Sequence, residues 1–213
     1  MLSTDPCTGE NGEALLDNDR VLVRRHVVPS GVSFVPPAPA PCGLLLVYIR
    51  GGSVAGSDDR VTIWRDGRVR WFGGTDDVEP QRNVGHADIE LVSIVLKPLP
   101  VDAPWPADPV RPLGYPNIPG EDIFDNEDLI VQRFVIEPGQ WEGVHAHQPN
   151  MLYVHVTGAH WAARSYTHAE TAWAEPSSPG SVGWMEPIGL DAGHESGNAG
   201  TTPIDLLWVS LRR

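Results

Sequence analysis

The chain repeats itself. Asp17-Asn18-Asp19-Arg20-Val21-Leu22-Val23 is echoed by Asp125-Asn126-Glu127-Asp128-Leu129-Ile130-Val131, and Val27-Val28-Pro29-Ser30-Gly31 by Val135-Ile136-Glu137-Pro138-Gly139. The run Leu44 to Gly51 stands opposite Met151 to Gly158, and Asn83-Val84-Gly85 with Ile89-Glu90-Leu91 opposite Asn198-Ala199-Gly200 with Ile204-Asp205-Leu206. Self-similarity on this scale means one supersecondary unit built twice. The unit reads as β: its runs are rich in β-branched and aromatic residues, and glycine, proline and asparagine bound them. No long stretch sustains a 3.6-residue apolar period, so helices should be few and short. The 22 glycines and 21 prolines suit a turn-rich, all-β chain.

This periodicity predicts an N-terminal tail over 1–16, a first β-domain over 17–98, a proline-rich linker over 99–120 and a second β-domain over 121–213. Two barrels of roughly 90 residues each can bury adequate cores. The linker's proline density forbids regular ladders, and its Trp105 and Tyr115 are expected to anchor it against a barrel surface.

The two copies differ in chemistry. His145-Ala146-His147 lies between the strand-like runs Leu129 to Ile136 and Met151 to Val156, and His194 follows in the same copy. Side chains two apart on a strand share a face, so His145 and His147 should project together and His194 can join them on one ion. The corresponding stretch of the first copy, where Ala38 and Ala40 fall, has no histidine pair, and Glu79 stands opposite His194. That copy cannot build the same site, and its expected role is structural.

These residues resemble the two sequence motifs of the cupin family. The first motif is glycine, five residues, His-x-His, a glutamate after three or four residues and a closing glycine; here Gly139, His145, His147 and Gly158 match it. The second runs from glycine to Pro-x-Gly, then histidine, three residues and asparagine. Gly180, Pro187, Gly189, His194 and Asn198 match it, with two extra residues before the histidine. The resemblance covers residues 139–198 and implies an all-β fold of two tandem cupin-type β-barrels, of the jelly-roll kind, in a bicupin arrangement. It implies His145, His147 and His194 as metal ligands.

One position departs from the family. Where its glutamate ligand is expected, this chain has Met151, and the alternative spacing gives Leu152. Three neutral imidazoles leave the full charge on a divalent ion. A three-histidine, one-water set is a catalytic zinc geometry, in which bound water reaches a pKa near ~7. Imidazole suits several metals, which leaves zinc, iron, manganese or nickel as the expected ion. Expected functions are therefore a metal-dependent hydrolase, lyase, cyclase or isomerase acting on a small organic molecule, a three-histidine iron dioxygenase similar to some cupin dioxygenases, or a non-catalytic ligand-binding protein. Loss of the carboxylate is equally the mark of a decayed site.

Strand alternation nominates the neighbours. Trp141, Met151 and His155 are expected in the substrate pocket, and Tyr153 as a proton donor or substrate-positioning group. His155 lies about 13 Å along its strand from Met151, too far for a fourth ligand, and reads as a buried hydrogen-bonding histidine. Glu142 is the carboxylate nearest the pair, a general base or replacement ligand, although strand parity points it toward solvent. Trp184 and Trp208 read as core, and His160 and His168 as surface.

A formal charge of −13 argues against nucleic-acid binding. No apolar stretch approaches ~20 residues, so no membrane span is expected. The first residues lack the basic and apolar regions of a secretory signal. Cys7 and Cys42 have no metal-ligand spacing. A cytoplasmic protein with a small-molecule substrate is expected, and barrel edges leave a homodimer open.

Overall fold

A computed structural model of the protein describes residues 12–36, 43–73, 79–98, 113–165, 168–189 and 193–212. Within them the structure is entirely strands and turns, with no helix and hence none long and apolar enough to cross a membrane. The chain divides into two compact units, Met1–Val101 and Asp102–Arg213.

In the first unit, β1 (Glu13–Asp17), β2 (Val21–Val28), β4 (Leu44–Arg50), β7 (Val69–Phe72) and β9 (Ile89–Leu96) form a sheet of order β1-β2-β9-β4-β7. A second sheet runs β3-β8-β5-β6, from β3 (Ser33–Phe34), β8 (Gln81–Asn83), β5 (Gly52–Ala55) and β6 (Val61–Trp64). In the second unit, β10 (Glu121–Asp125), β11 (Leu129–Ile136), β12 (Met151–His155), β15 (Val182–Met185) and β17 (Ile204–Leu211) take the order β10-β11-β17-β12-β15. Facing it is β14-β13-β16, from β14 (His168–Trp173), β13 (Trp161–Ser165) and β16 (His194–Asn198). All pairings are antiparallel, and the strand order of the large sheet is the same in both units.

The repeat extends to individual hydrogen bonds. Asn18 Oδ1 accepts from the amides of Arg20 and Val21, as Asn126 Oδ1 does from Asp128 and Leu129. These asparagines close the turn into β2 and β11 by offering the backbone a local acceptor. Pairing of β1 with β2 and of β10 with β11 carries a bulge at the same place, between Ala14 and Leu16 and between Asp122 and Phe124. Asn83 Nδ2 donates to Val28 O and Ala87 O, and Asn198 Nδ2 to Ile136 O and Thr202 O. Gly31 and Gly139 hold the left-handed conformation at φ 79° and 78°, each donating its amide 2.8 Å to the carbonyl of its unit's asparagine. Arg25 pairs with Glu90, and Arg133 with Asp205.

Three expectations about boundaries change. Residues 13–16 belong to β1 and are not tail. The linker's last part is built into the second unit: Leu113, Tyr115 and Ile118 are buried, and the Gln132 side chain holds both the amide and the carbonyl of Leu113. A buried amide side chain thus replaces the ladder partner that the prolines deny this segment. Tyr115 lies in the interior rather than on a barrel surface. The expectations for Cys7, Ala38, Ala40, Cys42 and Trp105 fall outside the described residues.

Candidate metal centre

The segment from Trp141 to His147 is not a continuous strand. It touches its neighbours through isolated bridges, Trp141 to Gly197, His145 to His194 and His147 to Ile188. The irregularity centres on Gly143, at φ 83°, where an added Cβ would lie 3.0 Å from both Pro116 and Asn117. Only glycine meets both demands without strain. This kink breaks the alternation, and it reverses the expectation for Glu142: the residue is 2% exposed and its Oε2 lies 3.8 Å from His145 Nε2.

The three histidines converge. His145 Nε2 is 3.0 Å from His147 Nε2, which is 3.2 Å from His194 Nε2. His145 and His147 are buried and His194 half-buried. His145 Nδ1 lies 2.8 Å from Gly143 O, and a carbonyl only accepts, so Nδ1 carries the proton and Nε2 presents a bare lone pair. Second contacts of this kind orient metal-binding imidazoles. Burial lowers the pKa of all three, and in His147 the adjacent imidazoles reinforce it, to about 3. Three neutral rings crowding three Nε2 atoms cannot satisfy one another with protons, because His147 Nε2 can donate to only one neighbour. A divalent cation satisfies all three, so the donor set fits a metal ion. Among the described residues this is the cluster whose ligand atoms gather closely enough to hold one.

A buried chain of polar groups lies beside them. Trp208 Nε1 donates to Tyr115 Oη at 2.5 Å, and Tyr115 in turn hydrogen-bonds the Glu142 carboxyl. Burial pushes Glu142 up to about 8, against the opposing hydrogen bonds from Tyr115 and the Ser196 backbone. Burial also raises Tyr115, with Glu142 adding to it. The Tyr115 ring packs edge-on against His145 at 4.6 Å between centroids.

Above the histidines opens a cavity of about 220 Å³. Its wall includes Tyr153, His155, Trp161, Met185 and Trp208 as well as the three histidines, Tyr115 and Glu142. His155 is a buried, hydrogen-bonding histidine: Trp161 Nε1 donates to its Nε2 at 3.2 Å, and its Nδ1 lies 2.6 Å from Ser177 Oγ. Burial lowers its pKa to about 4. Tyr153 is half-buried, with its pKa raised by burial, and packs over Gly183.

Two nominated pocket residues lie off this wall. Met151 is fully buried in the core with Phe134 and Ile136. Trp141 packs against Gly197 with the Arg164 guanidinium 4.2 Å over its ring. Trp208 is buried, while Trp184 is only half-buried. His160 is half-buried as well, and the side chain of His168 lies outside the described residues. Sequence reasoning missed Tyr115 and Trp161 as site residues. The signal for Tyr115 was a bulky aromatic in a proline-rich segment, which demands burial somewhere.

No family model and no curated protein matches the sequence. Solved structures do. A cupin 2 conserved barrel domain protein from Leptotrichia buccalis matches over 94% of this chain and 88% of its own, at 8% identity and a TM-score of 0.53. AerE from Microcystis aeruginosa matches over 92% and 89%, at 10% identity and a TM-score of 0.56. Oxalate decarboxylase from Bacillus subtilis, described with Mn(II) centres, matches over 90% and 69%, at 13% identity and a TM-score of 0.51. At such identities the likeness establishes the cupin fold and nothing finer.

Proposed function

We propose that the chain is a metal-dependent bicupin enzyme acting on a small organic molecule, its second unit catalytic and its first structural. The observation that carries this reading is the meeting of three Nε2 atoms, 3.0 and 3.2 Å apart, at the floor of a cavity. His145, His147 and His194 would hold the ion, and Gly143 O keeps the first of them in the binding tautomer. A divalent ion held there supplies Lewis acidity toward a bound oxygen or water. The manganese centres of the decarboxylase with the same fold support a metal here, although its chemistry does not transfer with its fold.

The chain's own groups shape what happens beside the ion. Glu142 faces His145 from a buried position, steadied by Tyr115, and would exchange a hydrogen bond with a molecule bound in the cavity. Tyr153 lines the same space with its phenol. We assign proton handling to these two and the hydrolytic, lyase, cyclase or isomerase class to the reaction.

The test is metal reconstitution under anaerobic conditions with zinc, manganese, nickel and iron in turn, followed by oxygen-uptake measurements on the iron form. About one ion per chain with no oxygen-coupled product is the expected result. Oxygen consumption matched by product would replace the non-redox assignment with a dioxygenase. Failure to take up any ion would remove the enzyme reading.

A further inference from the structure

The wall of the cavity carries information about its ligand that the histidines do not. Its aromatic groups form a continuous surface: His147 packs against Trp208 at 5.1 Å, Trp208 against Tyr153 at 5.7 Å, Tyr153 against His155 at 5.1 Å and His155 against Trp161 at 6.1 Å between centroids. The polar atoms of this surface are mostly consumed within it. Trp161 Nε1 donates to His155, Trp208 Nε1 donates to Tyr115, and both nitrogens of His155 have partners. Both indoles are therefore fixed in orientation and offer a ligand their faces rather than their N–H groups. Rigid aromatic faces with few free polar groups select flat, apolar bodies.

Charge narrows the class further. No lysine or arginine is among the described residues of the wall. Over the whole chain the formal charge is −13, so the surrounding field repels anions. An anionic or polar oxygen can be held at the three imidazoles by their ion, but a second carboxylate would find no cation. Tyr153 is the wall phenol without a hydrogen-bond partner among the described residues, which leaves its hydroxyl for one further polar contact. Size sets the upper limit. A dry cavity of about 150 Å³ accepts benzene, so about 220 Å³ accommodates one substituted ring or two fused rings.

We propose that the ligand of this cavity is a small planar molecule, of one ring or two fused rings, that presents a single oxygen function to the three imidazoles and carries no second anionic group. This rests on the metal-site reading above and specifies the substrate class for it.

Calorimetric titration of the zinc-loaded full chain with benzoate, acetate and succinate tests the class, with zinc content measured first. Benzoate should bind at least tenfold more tightly than acetate, and succinate more weakly than benzoate. Equal affinity for acetate and benzoate, or tighter binding of succinate, overturns the proposal. Two variants locate the effect. Trp161→Ala should weaken benzoate about tenfold while acetate is unchanged. Ala174→Trp, at an exposed residue on the cavity wall, should do the same without disturbing the core. Both should retain full zinc content, which reports an intact site; benzoate binding unaffected in zinc-replete variants contradicts the proposal. If the wild-type chain takes up no zinc, the metal reading fails separately. Neutral acetophenone titrated into the metal-free chain then decides the aromatic class: binding blocked by Ala174→Trp supports it, and no binding overturns it.

Discussion

The two units share a frame and differ in what they enclose. Strand order, the bulge between the first two strands, the turn-closing asparagines Asn18 and Asn126, and the buried amides Asn83 and Asn198 all coincide. The interiors diverge position by position. Superimposing the shared registers sets Phe34 against Glu142, Leu46 against Tyr153, Tyr48 against His155, Val54 against Trp161 and Glu79 against His194. In the first unit Tyr48 is 1% exposed, stacks on Trp64 and reaches Gln81, and the space left between Phe34, Tyr48 and Leu91 is only about 10 Å³. The second unit keeps about 220 Å³ open. Ladder and turn residues therefore set the barrel, and a handful of inward side chains decide whether it is filled or functional.

Each experiment below, made on the full chain with hydrogen exchange to separate the units, strains this contrast at a different point. The largest effect is expected from His147→Ala, which removes the ring lying within 3.2 Å of both others. Metal affinity should fall by roughly 100-fold or more, beyond what losing an outer contact produces, with exchange in the first unit unchanged. Metal retained at wild-type affinity would break the ligand assignment.

Acidification should separate the units next. His155, buried with a pKa of about 4, stays neutral in the fold while its unfolded form titrates near ~6.5. Its folded pKa is depressed, so its contribution is complete above pH ~6.5 and is lost as pH falls toward 4, by up to about 3 kcal/mol. Tyr48, its counterpart, has its pKa pushed up to about 12 and does not titrate in that window. Exchange protection in β12 should decline between pH 6.5 and 4 more steeply than in β4. Parallel decline would show that His155 is not held neutral.

The frame, by contrast, should respond alike in both units. Asn83→Ala and Asn198→Ala each remove the donor from two carbonyls, one of them buried, and should each cost about 2 kcal/mol in their own unit. Gly31→Ala and Gly139→Ala put a Cβ on left-handed backbone in open space, and each should cost about 1 kcal/mol. Unequal costs within either pair, measured by exchange or thermal unfolding, would show that the repeated sequence does not carry repeated energetics.

Much of this was legible in the residues. The repeat itself exposed the paired asparagines, glycines and strands, because turn chemistry is local and survives in sequence. The histidine triad was legible from its spacing. Glu142 was not, because its direction depends on the left-handed kink at Gly143, which the Tyr115–Ile118 segment clamps from outside the strand pattern. Tyr115 was hidden for the same reason: proline-rich composition signals the absence of a ladder but not where the chain goes. Met151 sits on the expected strand face and still misses the cavity, since it is packed into the core cluster with Phe134, Ile136 and Trp208. Parity names a face of a strand, whereas the depth along it that meets the cavity is a matter of tertiary packing.

The central claim is that the second unit alone grips a divalent ion, through three imidazoles. X-ray absorption of the cobalt-loaded full chain tests it most directly. The account predicts one cobalt per chain with the scattering of three imidazole rings, reduced to two in His194→Ala. Cobalt bound through fewer than three imidazoles in the wild-type chain, or a spectrum unchanged by His194→Ala, would contradict it.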